Sequence, residues 1–271
     1  MPPTPTIRSM AVVILFIVHW QLSVFCQSFF LHRYGAHRQF SMSRGWEKFF
    51  NVLTMVAQNS SYLNPRGYAV LHRMHHAYSD TEKDPHSPAS YKGIFPGLFK
   101  MMYRTKRIYH EIAYYETAPE PRFDGEFPNS RVLEWIGKSW PMRILWGSLF
   151  FVFYYYFATA WWQWLLLPGH WIMGAIHGAI VNWGGHRYGY RNFDDQKDVS
   201  RNTLPIDFLT AGELCQNNHH KFPMSPNFAA RWFEIDMTYQ VMKVLNFVGI
   251  IDMSGAQKMR YEPKAESARA A

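Results

Sequence analysis

The sequence predicts an all-α fold: an integral membrane helical bundle of about three to four spans, with a helical cap on one side. Three observations predict it. Apolar residues gather in a few long runs, aromatic residues collect at the ends of those runs, and basic residues follow them on one side. Averages hide this pattern. Over 271 residues the apolar share is 48% and the mean hydropathy is −0.25, values that would suit a soluble protein.

The first run, residues 10–31 (MAVVILFIVHWQLSVFCQSFFL), has the roughly 20 apolar residues that a hydrocarbon core requires. It is too long for a signal peptide, lacks a small-residue cleavage site and leads straight into histidines. A shorter stretch, 46–57, reads as a buried or interfacial helix. The second span, 144–167, ends in a belt of Trp161, Trp162 and Trp164, and the third covers 171–186. Pro168 and Gly169 are expected to make the tight turn of a helical hairpin between them. Gly174 and Gly178 form a small-xxx-small pair suited to close helix packing.

Residues 32–141 and 187–271 would form the cap, the whole of 1–271 being one membrane-bound domain. Segment 117–130 (TAPEPRFDGEFPNS) reads as an exposed loop, and the tail 262–271 as disordered. No internal repeat is visible.

The formal net charge is +8. No zinc-finger, helix-turn-helix or RNA-binding signature accompanies it, so nucleic acid is not the expected partner. Anionic lipid headgroups are. Arg33, Arg38, Arg44 and Lys48 follow the first span, whereas Arg8 alone precedes it; Arg187 and Arg191 follow the third. The positive-inside bias therefore places the histidine-rich side in the cytoplasm. Cys26 and Cys215 are too few for a disulfide scaffold and lack metal-finger spacing, so both read as structural thiols.

Eight of the 13 histidines lie at span ends or in the cap: His32, His37, His72, His75, His76, His186, His219 and His220. On a helix, residues three and four apart share a face. His72, His75 and His76 can thus present their rings together, as can Gln216, His219 and His220, while Asn182 and His186 are four apart. His32 and His37 are five apart, about 140° round a helix. They serve different metals, or the helix loosens between them at Gly35. Eight imidazoles exceed the roughly four to six donors that one first-row ion accepts, so two ions sharing them is the natural solution. Imidazole suits Zn, Cu, Fe and Ni alike and does not choose among them. A satisfied or solvated histidine without a common target is the ordinary reading for one residue, and His19, His110, His170 and His177 keep it, His19 and His177 as hydrogen-bonded packing residues within spans.

The order HxxxxH, HxxHH and a final NNHH resembles the membrane fatty acid desaturases. HRMHHAYSDTEKDPH at 72–86, NWGGHRYGYR at 182–191 and GELCQNNHH at 212–220 are similar to the stearoyl-CoA (acyl-CoA) branch, and the likeness covers about residues 10–235. It implies a non-haem di-iron oxidase using dioxygen and two external electrons on a long-chain acyl substrate, carried on CoA or lipid, with Δ9 among the implied positions. It implies the eight histidines as iron ligands and the catalytic set, and Asn182 as a residue approaching one iron through water. Asp84 and His86 match the DPH element, with Asp84 orienting a ligand or making a turn before Pro85. Three positions depart from the family. Gln216 stands where the third box usually begins with His, leaving an amide as a possible iron contact. Val70-Leu71 replaces the Arg-Asp that animal relatives carry near the CoA headgroup. The first of four usual spans is also missing.

The substrate argues for iron as well. An unactivated methylene C–H has no acidity for a base to use, so a redox metal must supply the chemistry. No HPGG haem element, Cys-rich cluster or Gly-rich flavin motif occurs. Electrons are therefore expected from a separate donor of ferredoxin, rubredoxin or cytochrome b5 type, docking on the basic cap. A bacterial inner membrane is expected rather than the endoplasmic reticulum. Two rival readings remain: a histidine-box hydroxylase or ketolase of an apolar substrate, and a non-catalytic membrane metal-binding protein. The latter would need ligands along a transmembrane route.

Overall fold

The computed structural model describes residues 4–262. Helix α1 (Pro5–Cys26) starts at Thr4, whose hydroxyl accepts from the Ile7 amide, with Pro5 in the first turn where a missing N–H costs nothing. It runs on without a break as a π-helical segment, Gln27–Ala36. Thr6–Ala36 and Trp161–Gly185 are the two stretches, among the described residues, long and apolar enough to cross a bilayer. Exposure in the apolar helices is inverted relative to a soluble protein. Met10, Ile14, Ile17 and Val18 face outward, while His19, Ser23, Gln163, His170 and His177 are buried. Apolar groups outside and polar groups inside fit a lipid surround.

The hairpin turn differs from the expected one. Helix α6 (Trp140–Phe157) stops before an extended break at 158–160. There the Gln163 side-chain oxygen accepts from the Thr159 and Ala160 amides at 2.7 and 3.1 Å, and its Nε2 donates to the Ser9 carbonyl at 3.0 Å. A 3-10 turn, Trp161–Leu166, then leads directly into α7 (Leu167–Gly185). Pro168 and Gly169 therefore lie inside that helix, Pro168 in its first turn where proline is tolerated. A glutamine side chain, not a Pro-Gly pair, makes the turn. Farther on, Ile172 leaves helical geometry (φ −128°, ψ 18°) and kinks α7.

In the cap, α2 (Arg44–Gln58) exposes Trp46, Phe49, Val52 and Val56 and turns Asn51, Thr54 and Gln58 inward, as an interfacial helix does. Helices α3 (Pro65–Tyr78), α4 (Ile94–Ala113), α5 (Arg131–Lys138), α8 (Gln216–Lys221) and α9 (Met237–Phe247) follow, with β1 (Ser41–Met42) paired antiparallel to β2 (Ile251–Asp252). Phe29, Phe30, Leu31, Phe40, Phe50 and Met242 pack into one core that ties the π segment to α2 and α9. Each such side chain contributes about 1.5–3 kcal/mol on burial. Segment 117–130 is irregular but not exposed throughout. Phe123 is buried with Val70, Leu71 and Ile112, and Asp124 pairs with Arg66 at 2.9 Å. Most of the tail expected to be disordered, residues 263–271, lies outside the described residues.

Candidate metal centre

His32 and His37 converge because the backbone between them is π-helical. Such a segment bonds residue i to i+5 instead of i+4, and the His37 amide donates to the His32 carbonyl at 3.1 Å. The extra residue cancels the 140° offset, leaving the two ring centroids 5.0 Å apart. Arg73 caps the end of the segment, donating to the carbonyls of Ala36 (2.9 Å) and Gly35 (3.2 Å). Buried Arg33 anchors the middle through Asp236 (2.7 Å) and Glu213 (3.1 Å).

Helix α3 delivers His72, His75 and His76. Its start is fixed by Asn64, whose side-chain oxygen accepts from the Gly67 amide at 2.8 Å, followed by Pro65. Helix α8 is too short to be stable alone and is held by its two asparagines. Asn217 Oδ1 accepts from the amides of Asn192 and Phe193, each at 2.8 Å. Asn218 bonds Asn202, Phe228 and Glu234 at 2.8–2.9 Å. Adjacent helical residues point about 100° apart, so each His-His pair divides between two sets.

Donor atoms of His32, His37, His72, His76 and His219 lie within 4.8 Å of one another, and those of His75, His186 and His220 form a second such group. The groups adjoin: the rings of His76 and His220 are 4.5 Å apart. Four of the eight rings are oriented through Nδ1 by a carboxylate: His32 by Glu213 (2.5 Å), His75 by Asp84 (2.8 Å), His186 by Asp80 (3.0 Å) and His220 by Asp198 (3.0 Å). A carboxylate on Nδ1 fixes the tautomer and leaves the Nε2 lone pair free for a metal.

The contacts inside the first group fit a cation. His72 Nε2 lies 2.7 Å from His37 Nε2 and 3.0 Å from His76 Nε2. His219 Nε2 lies 2.9 Å from His76 Nε2 and 3.0 Å from His32 Nε2. One in-plane N–H cannot point at two neighbours, so hydrogen bonds alone leave lone pairs facing each other. Nitrogens bound at about 2.1 Å to one ion sit about 3 Å apart when adjacent, which matches. In the second group His186 Nε2 is buried with no hydrogen-bond partner.

Burial, and then the charge each neighbouring imidazole would carry, holds His37, His72, His75, His76 and His219 well below the ordinary histidine range. Burial also lowers His220, against the raising effect of Asp198. Neutral imidazole is the form that binds metal. Burial pushes the other way on Glu213 and Asp198, but their histidine partners, with Arg33 at Glu213, keep both ionised below the usual carboxylate range.

A cavity of about 420 Å³ leads from the first group along α7. His32, His72, His86, Glu213 and Gln216 line one part; Trp171, Gly174, His177, Gly178 and Asn182 line its α7 wall. Gln216 is buried, and its Nε2 donates to the Glu213 carbonyl at 2.7 Å. Asn182 lies one helical turn before His186 on that wall. His19, read as a packing residue, meets His170 Nδ1 to Nδ1 at 2.6 Å, with Tyr154 3.0 Å from His170 Nε2, whereas His177, read the same way, lines the cavity with neither ring nitrogen hydrogen-bonded. His110 is at the surface beside Glu116. Sequence reasoning missed Glu213, Asp80 and Asp198 as orienting groups. Glu213 had a signal, standing in the same motif as His219. Asp80 and Asp198 had none, because only folding brings them to their rings.

Histidines so grouped beside a buried cavity make a candidate metal centre, and the comparisons give the family. The fatty acid desaturase family profile matches residues 8–245, and the chain belongs to that family. It is 30% identical over 265 residues to a hex-5-enoyl-[acyl-carrier protein] acetylenase of Moorena producens (strain JHB), covering 88% of this chain and 74% of that one. It is 27% identical over 259 residues to an sn-1 stearoyl-lipid 9-desaturase of Anabaena variabilis (89% and 82%). An acyl-CoA C20 Delta5-desaturase of Anemone leveillei is 27% identical over 238 residues (88% and 71%). The protein is a fatty acid desaturase-type enzyme acting on fatty acyl chains.

Proposed function

We propose that this chain is a di-iron acyl desaturase that inserts a double bond at the Δ9 position of a long-chain acyl group. The overall change balances as one acyl CH2–CH2, one O2, two electrons and two protons giving CH=CH and two waters. The observation that carries this reading is the pair of histidine groups, the first of which opens through His32 and His72 onto an apolar cavity. Bound iron would supply the redox chemistry that breaks an unactivated C–H bond.

The chain's own residues hold and orient. His32, His37, His72, His76 and His219 hold one ion; His75, His186 and His220 hold the other, with Asn182 and Gln216 as polar contacts at its border. Glu213, Asp80, Asp84 and Asp198 fix ring orientation. Gly178 leaves room for the acyl chain against α7, while Gly174 lets that helix pack closely on the Ser61 carbonyl, and the burial of the site excludes bulk water. The substrate is an acyl-lipid or acyl-CoA, matching the names of two relatives. Electrons come from a separate ferredoxin, rubredoxin or cytochrome b5 type donor. It docks on the cytoplasmic cap, where Lys100, Lys106 and Arg107 of α4 are exposed and give an acidic partner a complementary surface. The membrane is a bacterial inner membrane, and the chain acts as a single membrane-bound domain.

Expression in a host that makes only saturated lipids, followed by mass spectrometry, tests the reading. A product lighter by two hydrogens, with the double bond at carbon 9, is expected. A product that gains oxygen instead would assign the protein to hydroxylation.

A further inference from the structure

We infer that His86 is a ligand of the second metal ion, completing a donor set that His75, His186 and His220 leave short. This rests on the two-metal reading above.

The two groups are unequal. Five imidazoles converge at the first and three at the second, whereas first-row ions with nitrogen ligands take about four to six donors. The second ion needs another donor from a residue already beside it. His86 is that residue. It is buried, and neither its Nδ1 nor its Nε2 has a hydrogen-bond partner, an arrangement a folded protein rarely leaves uncompensated. Its ring centroid is 4.3 Å from that of His75. With His75 and Asp84 it forms a third group whose donor atoms all lie within 4.8 Å of one another. It is near enough to His186 and His220 to interact electrostatically with both.

One carboxylate holds the two rings in relation. Asp84 Oδ1 accepts from the His86 backbone amide at 3.0 Å, and Asp84 Oδ2 accepts from His75 Nδ1 at 2.8 Å. Pro85 between them stiffens the link. Position 216 borders the same place: the Gln216 side chain packs on Gly185, the residue before His186. Its amide nitrogen is committed to the Glu213 carbonyl. An imidazole introduced at 216 would therefore approach the second group from the opposite element.

The test counts iron per chain in the full-length, iron-loaded protein and follows its release to a chelator. Wild type is expected to hold two irons and His86→Ala about one, the second leaving at least tenfold faster. The double variant His86→Ala/Gln216→His is expected to return to two, which also shows that the single variant folds. Two irons held as tightly in His86→Ala as in wild type would overturn the assignment, even if turnover fell. So would a double variant that stays at one. Fewer than two irons in wild type is a separate result that removes the two-metal reading itself.

Discussion

The His37 amide donates to the His32 carbonyl at 3.1 Å across a five-residue step, and this one bond brings both rings into the same histidine group. A regular α-helix would aim them about 140° apart. The local π geometry is thus a functional device, as such bulges often are.

Inserting an alanine between Gly35 and Ala36 tests that device. The two histidines then stand six apart, about 120° round an α-helix, and the single five-residue bond no longer joins them. Metal affinity of the first group is expected to fall roughly 10-fold or more for one lost imidazole, measured by chelator competition. Unchanged affinity would show that the π turn is incidental.

The carboxylates predict a second effect. Asp198→Asn removes the anion on His220 Nδ1 and lets the ring take the other tautomer. A loss of roughly 10–100-fold in metal affinity is the usual scale, confined to the second ion and visible as one fast and one slow phase of iron release. Equal release from both groups would contradict it.

Gly178 predicts where the acyl chain lies. A Cβ built there meets nothing within 4 Å, and the residue lines the cavity. Gly178→Leu is expected to fold at least as well, since glycine costs a helix about 0.8–1 kcal/mol relative to alanine and leucine ranks next to alanine. Turnover of long chains should drop about 10-fold or more, the scale of a misfit in an apolar pocket, while shorter chains survive. Chromatography of products from mixed chain lengths reads this directly.

Within the apolar helices, Tyr154, His170, His19 and the Ala57 carbonyl form one hydrogen-bonded line, the last link being 2.8 Å. It joins α6, α7, α1 and α2. Tyr154→Phe should cost about 0.6 kcal/mol, the mean for such bonds in membrane proteins. Unfolding in mixed micelles measures it, and a cost near zero would mean that the line is slack.

Much of the site was legible in spacing. His72 and His76, four apart, share a helical face and meet His219, while His75 turns with His220 to the second group. What spacing could not give was how each pair divides, because that depends on the orientation of α3 against α8 and the π segment. Whether His32 and His37 join one histidine group or two turned on a backbone hydrogen bond that no side chain advertises. The hairpin was misplaced for a related reason. Pro168-Gly169 is a strong local turn signal, yet proline in a first helical turn is equally comfortable, and Gln163 supplied the turn through long-range bonding to Ser9. Asn217 and Asn218 looked like spacers in NNHH. Their two side-chain amides are what hold a six-residue helix in place.

Neighbouring histidines that face separate sites yoke those sites mechanically. Any roll of α3 that drew His76 closer to its partners would swing His75 away from its own, and α8 imposes the same bargain on His219 and His220. Neither half can drift alone, so the spacing between the two histidine groups is set by the pitch of two helices and not by the lipid around them.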